Sequence, residues 1–224
     1  MASAPVERLD SRERQRRLAA AGLARAETQA ELAAALAAGQ TPACVGSSDF
    51  EVDAAAPIWA FGSAHVRARG AADVVACEAT EIEAADRATV AATDTADVHA
   101  RGSAAVLAFR DTNVEATEAA TVQAYGRSHV VARDRARVAC SDHSVVEAFD
   151  SARVEAFGQS VVHARDRASV TAHGAARVEA RDDASVIAHS DASVEAYDRA
   201  QVTAGRDVLV VEHGPDVSIT RSFP

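Results

Sequence analysis

The sequence predicts an all-β chain: a parallel β-solenoid, or β-helix, with about 16 residues per two-stranded coil, preceded by a short α-helical N-terminal segment. Three observations carry that expectation. First, residues 62–205 read as eighteen consecutive octads without insertion or deletion, and a fixed short period marks a solenoid. Second, places three, five and seven of each octad are small and apolar. In Asp166-Arg-Ala-Ser-Val-Thr-Ala-His173 they are Ala168, Val170 and Ala172. Place five is Val except at Ile82, place seven is Ala except at Cys140, and place three is Ala, Thr or Ser. Alternate side chains of a strand point to opposite faces, so these places form one buried row while four, six and eight face out. Third, sorting by sixteen separates two kinds of surface, and sorting by twenty-four mixes them. Place six of octads starting at Gly62, Glu78, Asp94 and Arg110 (wall A) reads Arg67, Glu83, His99, Glu115. Place six of those starting at Gly70, Asp86, Gly102 and Glu118 (wall B) reads Val75, Ala91, Leu107, Gln123.

The elements follow in order. Residues 1–40 are expected to be a helical segment or cap. Residues 1–5 predict no element, while Asp10 to about Leu36 is rich in Ala and Arg, which favour helix. Gly22 and Glu27 weaken the middle, and Thr28-Gln-Ala-Glu31 is a capping box, so a second helix is expected to start there and to end at Gly39. Leu9, Leu18, Leu23, Leu32 and Leu36 supply a thin apolar stripe.

Residues 41–205 are expected to form the solenoid, about ten coils. In its lead-in Phe50 and Ile58 hold place five, and Trp59 and Phe61 face out on wall B. Place one, mostly Gly or Asp, turns each corner, because Gly accepts positive φ and Asp can bond its own backbone. On wall A, stacking places Arg67 over Glu83, Glu83 over His99 and Glu147 over His163. Residues 206–224 are expected to be a C-terminal cap or edge strand. There Val208, Val210, Val211, Val217 and Ile219 replace the small residues, and Gly214-Pro215 interrupts pairing.

Wall B carries the main surface feature. Trp59, Phe61, Val75, Leu107, Phe109, Tyr125, Phe157 and Ile187, with Cys77 among them, form an apolar strip along it. Such a strip marks an interface unless the N-terminal helices of the same chain lie on it.

Composition excludes several classes. The 23 basic residues are all Arg against 33 acids, and the net charge is −10. Residues 1–40 are near +1, so nearly all the negative charge lies on the solenoid, the wrong sign for a phosphate backbone. No nucleic acid and no membrane partner is therefore expected. No signal peptide, spanning apolar run or disulfide framework is present, and a cytoplasmic location is expected.

Chemistry-bearing constellations are also missing. His173 and His189 are stacked neighbours without third and fourth ligands around them. Place-one Asp residues lack the Gly-Gly-x-Gly-x-Asp phrase of calcium solenoids. No phosphate loop, nucleophile elbow or Cys-His pair appears. No cofactor, no metal and no catalysis is expected.

The octad and its doubled period resemble the octapeptide solenoids of bacterial and phage repeat proteins, and in period the central solenoid of bacterial ice-nucleation proteins. In architecture the chain is similar to bactofilins, cytoplasmic β-solenoids that polymerise end to end between helical or disordered tails. The resemblance implies a noncatalytic structural or assembly scaffold. A homo-oligomer, dimer or filament, is expected, joined through wall B or the solenoid ends, with the N-terminal helices able to dock a protein partner. The alternatives are an acidic protein-binding module, such as an inhibitor or nucleic-acid mimic, and after it ice binding. Thr89 and Thr93 giving way to Leu107 and Phe109 speaks against the last.

Overall fold

The computed structural model describes residues 22–53 and 55–222. Each octad forms one four-residue strand over places four to seven, from His65–Ala68 to Gln201–Ala204. The strands sort into two parallel sheets by alternation. Wall B is a 13-stranded sheet and wall A an 11-stranded one. Pairing runs at sixteen residues, as in Val98↔Val114 and Val186↔Val202. The solenoid is therefore about twelve coils, longer than the ten expected, because elements at both ends join it.

At the N-terminal end β1 (Leu23–Ala26) pairs with β2 (Thr41–Cys44) as the edge of wall B. The helix expected from Asp10 does not extend through Leu23–Ala26. Helical propensity of Leu-Ala-Arg-Ala yields there to pairing with a neighbouring strand, and the rest of that helix lies outside the described residues. Between these strands α1 (Gln29–Ala37) begins at the Thr28 capping box, both of whose hydrogen bonds form, and ends before Gly39 at φ +67°. The helix stands where the next rung of wall A would fall. It follows that α1 caps β3 (Asp49–Val52), the first strand of wall A. Leu32 is buried in the core, and the Gln29 side-chain amide donates to Glu51 O at 2.9 Å and accepts from Glu51 N–H at 3.0 Å. One side chain thus supplies the ladder bonds a further strand would have made.

At the other end Leu209–Glu212 and Ser218–Arg221 extend both sheets. Pairing is not interrupted by Gly214-Pro215. The extra residue is taken up in that corner, so Gln201 pairs with Ser218 at a spacing of seventeen. Place seven here changes from Ala to charge: Glu212 follows Ala196, and Arg221 follows Ala204. Arg221 folds over the end, its Nη1 donating to Gly205 O at 3.1 Å and Val208 O at 2.9 Å.

The core is the predicted row. Places three, five and seven are buried throughout the octads, including Cys140 and the hydroxyl residues of wall A. Three of those five hydroxyls bond the corner three residues back: Thr112 to Phe109 O at 2.5 Å, Ser128 to Tyr125 O at 2.8 Å and Ser144 to Ser141 O at 2.5 Å. These bonds satisfy them locally, whereas the buried Thr80 and Ser160 hydroxyls have no hydrogen-bond partner among the described residues.

Every place-one residue from Gly62 to Asp198 has positive φ, 55–76°. The carboxylates there do not bond their own backbone. Each reaches back one coil to accept from the place-one N–H sixteen residues earlier, as Asp142 does from Gly126 at 3.0 Å and Asp166 from Asp150 at 3.0 Å. The left-handed corner turns the side chain along the solenoid axis, where the nearest donor belongs to the neighbouring coil.

Candidate interaction face

Outward places four, six and eight make wall B a long pleated face. Thirteen strands at about 4.8 Å and four residues at about 3.3 Å give about 60 Å by 13 Å, or about 800 Å². Its sequence-predicted residues fall into two groups. Trp59 and Phe61, stacked at 5.8 Å between ring centroids, pack with Leu23 against buried Ala43 and Val45 in a small cluster at the N-terminal end. Farther along, Val75, Cys77 and Leu107 are half-buried, and Phe109, Tyr125, Phe157 and Ile187 are 36–43% exposed. Phe109 stacks on Tyr125 at 5.4 Å, and Phe157, His173 and His189 stack in succession at 5.0 Å. The structure brings all eight residues to one sheet face. The described helix caps the solenoid end and does not lie along this face.

The remaining large exposed apolar residues among those described, Leu209 and Val211, sit on the last strand of wall A. Among outward residues of the wall B strands between Pro57 and Ala204, only Asp73, Arg137, Arg153 and Glu155 are charged. Neither Asp73 nor Arg137 has an ion-pair partner among the described residues, and both are exposed. Arg137 and Arg153 are register partners, two like charges on adjacent strands. Beside them a hollow of about 490 Å³ lies over Ala139, walled by Gln123, Arg137, Arg153 and Glu155. Sequence reading by place six and eight alone missed Asp73 and Arg137. The place-four row, otherwise small or polar along most of wall B, would have shown them.

Wall A is charged and internally paired. Its predicted register holds, with Arg67 over Glu83, Glu83 over His99 and Glu147 over His163. The ion pairs partly differ from that stacking. Glu83 meets Arg67 at 3.5 Å and His65 at 3.3 Å, while His99 turns to Glu115 at 3.2 Å and His163 to Glu179 at 3.5 Å. His99 and His163 each have a Glu on both sides and pair with the one on the following coil, while Glu83 pairs back to Arg67 and His65. The Arg181 guanidinium donates to Glu179 at 2.6 Å and holds that carboxyl below its ordinary range. Arg133 lies 4.5 Å from the Phe149 ring and Arg181 4.3 Å from the Tyr197 ring.

The three thiols are poorly suited to nucleophilic chemistry. Burial pushes Cys44 up to about 12 and Cys77 and Cys140 up to about 11, so little thiolate forms near neutrality. Among the described residues no group of three or more His, Cys, Asp or Glu is arranged to hold a metal ion. No helix among them is long and apolar enough to cross a membrane. Comparison with known proteins gives no match to a protein family, a curated protein or a solved structure.

Proposed function

We propose that this chain is a noncatalytic scaffold that associates with copies of itself through the outer face of wall B. The carrying observation is the distribution of exposed apolar residues: among the described residues, four of the six large ones lie on that face. An exposed apolar strip of this kind, interrupted by few charges, is the mark of an interaction surface. Its area, about 800 Å², matches what each partner of a standard stable interface contributes. A second copy is the fitting occupant because the face carries both members of a charge pair, Asp73 and Arg137, that stay apart within one chain.

The ends fit the same reading. Exposed strand edges template pairing, and inward charges at an edge oppose it. Glu212 and Arg221 are such charges, and α1 covers the first strand of wall A. The C-terminal end and the wall A side of the N-terminal end are thereby blunted toward stacking, which favours lateral association over the end-to-end growth that the bactofilin-like architecture suggests.

The test is light scattering after size-exclusion chromatography over a wide dilution series. The native chain is expected at twice its 23.2 kDa mass at high concentration. A Phe109→Arg variant, which sets a charge in the middle of the apolar strip, is expected at the single-chain mass with unchanged β circular dichroism. A native chain that stays monomeric throughout overturns the proposal.

A further inference from the structure

Resting on the reading that wall B pairs with itself, we infer a single geometry for that pair: a two-fold dimer of antiparallel solenoids, its axis parallel to the strands and passing over Ala105–Ala108. Two Arg137–Asp73 ion pairs clasp it.

Two faces brought together by a two-fold axis have only two simple orientations. An axis along the solenoid sets place four of one copy against place eight of the other on the same coil. Arg137 then meets Ser141, and Asp73 meets Cys77, so neither charge is answered. An axis along the strands sets place four against place four and reverses the order of the coils. Asp73 and Arg137 are both place-four residues, each two coils from Ala105–Ala108, on opposite sides. An axis over that strand therefore brings Arg137 against the partner's Asp73 twice, by symmetry.

The same register also matches the centre of the face. Leu107 and Phe109 lie on the axis and meet their own copies, an apolar centre ringed by polar groups. Ala139, floor of the hollow, faces the partner's Val75, a ridge against a depression. Phe157 faces the partner's Phe61. The repulsion between Arg137 and Arg153 within one chain is offset when a carboxylate arrives beside them. Moving the axis by half a coil would set Arg153 against Asp73. It would also set Gln123 against Leu107 and take the apolar centre of Leu107 and Phe109 off the axis, while Glu155 meets an apolar residue in either register, Val75 there and Trp59 here.

The experiment is a charge exchange, read as the dimer dissociation constant by sedimentation equilibrium at low salt. Asp73→Arg alone sets two like-charge contacts in the dimer, as does Arg137→Asp alone. Each is expected to weaken the dimer by about tenfold or more. An equimolar mixture of the two variants restores opposite charges at both contacts, so it is expected to dimerise as the native chain does. Arg153→Asp mixed with Asp73→Arg is expected to give no such rescue. Native dimerisation that survives both single reversals, or a mixture without rescue, or rescue by Arg153→Asp, overturns this register while leaving self-association standing. A native chain that never dimerises overturns the underlying reading as well. Circular dichroism of each variant separates loss of association from loss of fold.

Discussion

An L-residue in the left-handed region is strained, yet twelve non-glycine residues here hold φ of 55–64°. Ten of them are acidic, and each of those ten accepts a bond from the coil before it, from Glu78 on Gly62 N–H at 2.7 Å to Asp198 on Asp182 N–H at 3.2 Å. The carboxylate ladder offsets the strain of its own corner. At some corners Gly also relieves crowding: a Cβ at Gly102 would lie 3.0 Å from Asp86 N, whereas one at Gly174 would meet nothing closer than 3.6 Å. Asp166→Ala keeps the strain and removes the bond, so it should destabilise by about 1–2 kcal/mol in urea unfolding. Asp166→Gly, which removes both, should cost less. A larger loss for Gly than for Ala would contradict this account. The sequence shows place one as a turn and its neighbour as sixteen residues away, but not where its carboxylate goes, because the period does not give the direction in which a left-handed corner turns its side chain. Charge acts at the same scale. The depressed Glu179 carboxyl stabilises the fold at pH above the ordinary carboxylate value, and that contribution fades as pH falls through its folded value. Arg181→Ala should therefore lower the melting temperature only slightly near pH 7, since the pair is solvent-screened. The difference should shrink as pH falls through the folded Glu179 value.

Among elements, the octad strands were fully legible because period two within the strand and period sixteen between coils leave one consistent register. The ends were not, because each departs from the phrase for its own reason. Thr28-Gln-Ala-Glu31 announces α1 correctly, since a capping box is local chemistry. Leu23-Ala-Arg-Ala26 reads as helix by propensity and becomes a strand because β2 offers it an edge. That α1 stands in for a wall A rung depends on Gln29 reaching Glu51, which no periodicity reports. Truncating Leu32 to Ala should cost about 2–4 kcal/mol locally. By hydrogen exchange, Asp49–Val52 should then lose protection before the central coils. Uniform loss along the solenoid would show that α1 is no cap.

For the whole molecule, the apolar strip was visible in the rows of wall B, while its division was not. Trp59 and Phe61 join Leu23, Ala43 and Val45 because the lead-in folds onto that end, which leaves Phe109, Tyr125, Phe157 and Ile187 as the open part. A solenoid core of Val and Ala gains little per coil, so stability rests on stacking many coils, and the flat wall that results is also the surface presented to others. Lateral pairing uses that wall without opening either end, consistent with Gln29 covering one edge and Arg221 the other. The most direct test is the mass of the native chain in solution, measured by light scattering from high to low concentration beside Phe109→Arg. The account predicts a native dimer that dissociates on dilution and a variant that is monomeric throughout. Native protein at 23.2 kDa at every concentration, or a variant that dimerises equally well, would contradict it.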